Sequence, residues 1–383
     1  MRRNARFFVV VVALLSLFCF YVGSRLIPDA WPALAQAAGW IAIAAVIVEP
    51  VAALVARSRG LARGDSVFWI ALAPVGLFLM VLTFTVVRDV VWLGASIAGW
   101  LPADGVDRRA LHDWTSFVVV VVGVLLFALS LWRAQSGPRV VHVRVPVRDL
   151  QPELEGFTVV QLSDIHIGRS LRRPFLERVV DVVNALEADL IAVTGDLVDG
   201  SVDDLRDDTA PLASLKATHG AWFVPGNHDY YSGVLPWIAE VKRLGLRVLL
   251  NEHHVIEHDG GGRLVVGGVT DHSQGASVTG HASDPHKAIA GAPENAFKLL
   301  LAHQPASAAE AAKAGFDLQL SGHTHGGQFF PGTLFAHLVF PFVRGLHKLG
   351  EMWVYTSSGT GYVGPRLRTA SAEITKLVLV RAP

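Results

Sequence analysis

An α/β domain behind an all-α transmembrane region of about four helices is the fold class this sequence predicts. Three observations predict it. Long apolar runs crowd the chain before about Arg133. From Val140 onward, short apolar runs alternate with segments of helical period. Five points in that second part, four of them at the ends of short apolar runs, are marked by an Asp, Asn or His.

The composition fits this division. Of 383 residues, 51% are hydrophobic and 17% charged, too apolar for one soluble domain. The net charge of +0 gives no basic footprint for nucleic acid, so a nucleic-acid partner is not expected. The single cysteine, Cys19, excludes a disulfide within the chain and a multi-cysteine zinc site. Any metal must be held by His, Asp, Glu or Asn, and sixteen histidines are present.

The first apolar run, Phe7–Ile27, stands behind Arg2, Arg3 and Arg6. A secretory signal begins similarly, but no small-residue cleavage site follows and further spans do. Three more helices are expected over Trp31–Ala56, Val67–Val87 and Phe117–Trp132, each near the ~20 residues that cross a bilayer. Basic residues at the N-terminus, at Arg57, Arg59 and Arg63, and at Arg133 and Arg139 alternate for an inside start and an inside finish. That predicts a multi-pass inner-membrane protein with a cytoplasmic α/β domain. Arg88, Arg108 and Arg109 weaken the contrast. Val90–Leu101 is apolar but too short to span, and reads as interfacial or re-entrant. Glu49, before Pro50, is expected near a helix end with an Arg on the flank as its partner.

Gln135–Pro138 is a polar break, which places a transmembrane region at 1–134 and an α/β domain at 140–383. Val140–Val147 alternates as an edge strand. Strands are then expected at Phe157–Leu162, Leu190–Val193, Ala221–Val224, Arg247–Leu250, Val255–Glu257, Leu264–Val269, Leu299–Ala302, Leu318–Leu320, Trp353–Thr356 and Glu373–Val380. Helices are expected at Phe175–Leu186, Pro211–Lys216, Trp237–Leu244 and Pro305–Ala314. Short apolar strands alternating with helices fit a sheet buried on both faces, where ligands bind beyond the carboxyl ends of strands.

The marked residues lie at such ends. Asp164-Ile165-His166 sets a carboxylate and an imidazole on one loop. Gly195-Asp196 alone would read as a capped turn. In Gly226-Asn227-His228-Asp229, glycine permits a sharp turn, the amide oxygen can ligate a metal, and the imidazole can move a proton. His303 ends a strand before Gln304-Pro305. The most specific stretch is Gly322-His323-Thr324-His325-Gly326-Gly327, two imidazoles on a glycine-rich loop.

In this order the motifs DIH, GD, GNHD, H and GHTH resemble the calcineurin-like metallophosphoesterase family over roughly 157–328. The forms SDIHIG and SGHTHGGQ resemble its membrane-associated bacterial branch. The resemblance implies a two-sheet α/β sandwich flanked by helices and a phosphoric ester or anhydride hydrolase. It implies two divalent ions (Mn, Fe, Zn or Co). Asp164, His166, Asp196 and His325 would hold one. Asp196, Asn227, His303 and His323 would hold the other. His228 would be the non-ligand catalytic histidine, with Asp229 orienting its ring. The substrate expected is a phosphorylated small molecule or lipid, the lipid part resting on the membrane anchor and on Phe329–Val343 rather than on the resemblance.

Asp199 reads as a loop-stabilising residue. His253, His254, His258, His272, His281 and His286 read as exposed, and Thr270–Pro293 as a flap beside the site. Phe329–Val343 is very apolar and interrupted by Pro331 and Pro341. It reads either as an interfacial loop, with Phe340 and Phe342 in contact with lipid, or as a loop packed on its own domain.

Overall fold

The structure is a computed structural model that describes residues 2–28, 31–58, 65–101 and 106–382. The chain divides into two compact units, Met1–Trp132 with Gly364–Thr369, and Arg133–Val363 with Ala370–Pro383.

The first unit holds α1 (Arg2–Leu26), α2 (Ala33–Ser58), α3 (Asp65–Ile97) and α4 (Val106–Gln135). Stretches of 21, 26 and 29 residues in α2, α3 and α4 are long and apolar enough to cross a membrane, and Val12–Leu26 of α1 is a shorter apolar helix. Cys19, Val22, Val46 and Phe78 form the buried centre of this unit. Val90–Leu101 is not a separate interfacial segment: α3 runs unbroken through Val90 to Ile97. Arg88, expected in a connector, therefore lies inside a helix. Its guanidinium meets Asp89 at 2.7 Å, and Asp89 also takes a hydrogen bond from Tyr21 (2.7 Å) and pairs with Arg25 (3.1 Å). A charge among apolar helices persists only where it is paired in this way. Glu49 is exposed on α2, several residues before its end. Arg59 and Arg63 lie outside the described residues.

The second unit contains β1 (Arg139–Val147), β2 (Thr158–Leu162), α5 (Arg173–Asn184), β3 (Leu190–Thr194), α6 (Val202–Thr209), β4 (Ala221–Val224), α7 (Asn227–Tyr231), α8 (Val234–Arg243), β5 (Arg247–Val248), β6 (Glu252–Glu257) and β7 (Arg263–Gly268). It continues with α9 (Pro285–Ile289), β8 (Phe297–Leu301), α10 (Ala308–Ala314), β9 (Leu318–Ser321), α11 (Gly332–Val339), β10 (Gly345–Leu349), β11 (Met352–Thr356) and β12 (Glu373–Arg381).

Two six-stranded sheets result, ordered β1-β12-β2-β3-β4-β5 and β10-β11-β9-β8-β7-β6. The middle of each is parallel: β2 to β5 in the first and β7, β8, β9, β11 in the second. The period of two along each strand builds the layers. Val159, Leu190, Ala192, Trp222 and Val224 face Leu264, Val266, Leu299, Leu301, Leu318 and Leu320 between the sheets. Their neighbours Val160, Leu162, Ile191, Val193 and Phe223 face outward onto Leu176, Val179, Val183, Trp237 and Val241 of α5 and α8. Each fully buried branched side chain contributes about 1.5–3 kcal/mol. Because the central strands run in parallel, their carboxyl ends gather at one rim.

Two expectations about loops change. Thr270–Pro293 is no free flap: it carries α9, and its Thr270 hydroxyl bonds the His281 carbonyl at 2.6 Å. His253, His258 and His281 are half-buried and partnered, by the Ala288 carbonyl (2.8 Å), His219 (3.0 Å) and Tyr230 (3.0 Å). The stretch Phe329–Val343 is largely a helix, α11, and Phe342 packs on the cluster around Ala308 and Val354 rather than outward.

Candidate metal centre

Asp164 and Ser163 follow β2, Asp196 follows β3, Asn227 and His228 follow β4, His303 follows β8, and His323 and His325 follow β9. Strands from both sheets thus deliver side chains to one place. Gly322 and Gly226 make the close approach possible. A Cβ on Gly322 would run into the Asp164 carboxylate, and one on Gly226 into that of Asp196.

Asp164, His166, Asp196, His323 and His325 all sit in the left-handed backbone region, with φ of 52°, 52°, 51°, 69° and 50°. Each such residue stores on the order of 1–3 kcal/mol, so five in one site mark a place that the surrounding fold holds under strain.

The ring nitrogens and carboxylate oxygens converge as two groups that a third group links, taking His166 from one and Asp196 from the other. Asp164, His166 and His325 form the first; Asp196, His303 and His323 form the second; His166, Asp196 and His228 also lie together. His166 Nε2 is 3.1 Å from His325 Nε2 and 3.8 Å from an Asp196 oxygen. The same Asp196 oxygen is 3.2 Å from His303 Nε2, which is 3.3 Å from His323 Nδ1. His325 Nε2 is 3.4 Å from Asp164. His303 Nδ1 donates to the Thr194 carbonyl at 2.8 Å, which turns Nε2 toward the group.

These donors fit divalent cations. Pairs of lone-pair nitrogens face each other at about 3 Å, a contact that needs a shared proton or cation. Asn227 Oδ1 is buried with no hydrogen-bond partner, and an unsatisfied buried carbonyl oxygen costs about 1–3 kcal/mol unless something takes its lone pairs. Mixed imidazole, carboxylate and amide donors suit borderline divalent metals.

Electrostatics point the same way. Burial opposes charge on His166, but Asp199, Asp196 and Asp164 outweigh it and hold the ring up to about 9. Burial also opposes charge on His303, and Asp196 with Asp164 lifts it to about 10. Burial and the neighbouring His303 push His323 down to about 4. Both raised histidines keep a proton in the folded, metal-free site where an unfolded chain would lose it. The stability they lend is complete below about 6.5 and is lost as pH climbs through about 9–10. A cation needs those lone pairs, so metal uptake near neutral pH is expected to expel protons. Its apparent affinity is expected to rise from neutral pH toward about 9. Calorimetry in buffers of different ionisation enthalpy measures the proton release. An affinity flat over that range would show that these rings hold no proton before metal enters.

His228 and its neighbours correct one sequence expectation. The ring Nδ1 of His228 is bonded by Asp199 at 2.6 Å, not by Asp229. Asp199 also holds His166 Nδ1 at 3.1 Å, so one carboxylate orients both rings. In the sequence Asp199 reads as a loop-stabilising residue; only its three-residue distance from Asp196 hints at more. The Asp229 carboxylate lies behind the site and accepts the N–H groups of Gly226 (2.8 Å), Asp196 (3.0 Å), Leu197 (3.0 Å) and Val198 (3.3 Å). Consecutive helical residues point about 100° apart, so Asp229 cannot follow the ring of His228.

Known proteins of one family are similar to this chain. The profile of the calcineurin-like phosphoesterase family matches residues 157–327. A Bos taurus protein, "Transmembrane protein with metallophosphoesterase domain", is 36% identical over 328 residues, 82% of this chain and 74% of the relative. Its Danio rerio namesake is 37% identical over 273 residues, 69% of this chain and 62% of that relative, which therefore extends well beyond the match. An uncharacterized metallophosphoesterase of Helicobacter pylori is 34% identical over 276 residues, 71% of this chain and 72% of the relative.

Proposed function

We propose, on the premise that this chain belongs to the calcineurin-like phosphoesterase family, that it hydrolyses phosphodiester or pyrophosphate bonds with two divalent ions. The observation that carries this reading is the position of Asp196 within reach of both groups of donors. Asp164, His166, Asp196 and His325 would hold one ion, and Asp196, Asn227, His303 and His323 the other, the metal being Mn, Fe, Zn or Co. Such ions, when bound, draw charge from a phosphoryl oxygen and make an attacking water acidic.

The remaining steps belong to the chain's own residues. Asp199 engages Nδ1 of His228 and leaves Nε2 as the ring's other site for a proton. That atom can steady phosphoryl charge or protonate the leaving oxygen. The Asp196 carboxylate accepts the His228 backbone N–H at 2.8 Å, which ties the catalytic histidine to the shared ligand.

The span-length helices support a membrane-borne substrate, on a lipid or another cell-envelope phosphate. The basic residues at the start of the chain and after α4 support an inner-membrane protein with this unit in the cytoplasm.

The full chain, purified in detergent, is expected to hydrolyse an aryl phosphodiester with added Mn and to stop when a chelator is added. His228→Ala is expected to lower kcat by about 10²–10⁴-fold with metal content unchanged. Metal bound without turnover would favour a membrane sensor or scaffold that holds a phosphorylated ligand.

A further inference from the structure

We propose that α11 is a bilayer-inserting helix, which lays its apolar face into the membrane surface beside the metal centre and so selects phosphate carried on a lipid. The choice of substrate rests on the phosphoesterase reading; the insertion does not.

The helix exposes Leu334 (57%), Phe335 (54%), Leu338 (81%) and Val339 (72%), while Ala336 turns inward. Spacings of one, four and five residues put these four side chains on one stripe. A soluble surface rarely gathers four such residues without something to cover them. From Phe329 to Val343 there is no Asp, Glu, Lys or Arg. Exposed Arg344 follows the stretch directly, a cation that suits anionic headgroups, while Lys348 lies farther on in β10, 3.8 Å from Glu351. A helix face of large apolar side chains with no charged residue in its stretch suits a helix that lies in the interface plane.

The chain itself indicates the occupant. Among the described residues, three helices are long and apolar enough to span. Only Ser136–Pro138 separate α4 from β1, about 10 Å of chain at full extension. The α/β unit is therefore tethered by a three-residue link to a helix long and apolar enough to span.

The helix is also coupled to the ligands. The Thr324 hydroxyl, between the two histidines, donates to the Val343 carbonyl at 2.6 Å. The edge of one ring meets the face of the other where His323 contacts Phe340, at 5.5 Å between centroids. A headgroup phosphate beside α11 would thus lie next to the second group of donors.

The test uses the full chain in nanodiscs of phosphatidylcholine and phosphatidylglycerol. A Cys19→Ser background carries an environment-sensitive dye on Leu338→Cys or, as reference, on Lys313→Cys of α10. The dye at 338 is expected to be quenched by doxyl-labelled lipid at least about threefold more than at 313, and to be shielded from iodide. Equal quenching at the two positions would overturn insertion. So would shielding from iodide without lipid quenching, which would mean that a protein surface covers the helix. In the same discs, Leu338→Glu is expected to lower turnover of a lipid-anchored phosphodiester at least about tenfold relative to a soluble aryl ester. Equal loss on both esters would overturn the selection of lipid. A wild-type chain that cleaves neither ester would sink the phosphoesterase reading, and dye quenching would still decide insertion.

Discussion

Asp196→Asn is expected to lower phosphodiester turnover by at least about 10³-fold, equivalent to about 4 kcal/mol of transition-state stabilisation. The substitution keeps the size of the side chain. Its amide oxygen can still accept the His228 N–H that Asp196 now takes at 2.8 Å. What it removes is a negative charge that faces His303 Nε2 at 3.2 Å and His166 Nε2 at 3.8 Å. His303 and His166 are the groups that hold the Asp196 carboxyl far below the usual carboxylate range, against its burial. An amide in that place would present either a neutral oxygen or an N–H toward imidazole nitrogens meant for a cation. Metal content, read by elemental analysis, is expected to fall below two per chain together with kcat. Asp164→Asn gives the contrast, because Asp164 lies in one group of donors only. An Asp196→Asn chain that keeps both ions and turns over within about tenfold of wild type would refute the shared-ligand arrangement.

The sequence made the ligand loops legible because each combines an apolar strand with a polar residue at its carboxyl end. Parallel strands carry such ends to one rim whatever the details of packing, so the strand-end positions of Asp164, Asp196, Asn227, His303, His323 and His325 were legible without coordinates, while their role as ligands is what the family resemblance implies. What resisted reading was contact between loops. Asp199 bonds His166 and His228, which are 33 and 29 residues away, and nothing in its local pattern separates it from a turn aspartate. Asp229 looked like the partner of His228 because it is adjacent in the chain. On α7 that adjacency sends the two side chains in different directions. α11 was hidden for another reason. Pro331 and Pro341 made the stretch look broken, yet they fall on either side of the helical residues, where proline costs little. Arg88 reads as a connector charge because its pairing with Asp89 inside α3 leaves no mark in hydropathy.

The contrast between Asp199 and Asp229 yields the second large effect. Asp229→Ala is expected to loosen the metal loops rather than to remove a chemical step. The carboxylate gathers four backbone N–H groups, from Gly226 at the start of α7 and from Asp196, Leu197 and Val198 after β3. It thereby joins the loop that carries Asp196 to the loop that carries Asn227. Burial and the nearby charge of Asp196 push this carboxyl up to about 7, a cost that the Gly226 and Leu197 N–H groups offset only in part. Alanine would leave those N–H groups buried and unpaired. Removing one partner from a buried charged network costs on the order of 3–5 kcal/mol. Hydrogen exchange of the full chain reads this locally. Amides of residues 196–198 and 226 are expected to exchange at least about 100-fold faster, while those of β8 hold their rate, since each tenfold is about 1.4 kcal/mol of local opening. Asp229→Asn, with one acceptor oxygen kept, is expected to fall between the two. If turnover collapsed while these amides kept their protection, Asp229 would be acting on the reaction through His228 after all, and the division of labour with Asp199 drawn from the geometry would be wrong.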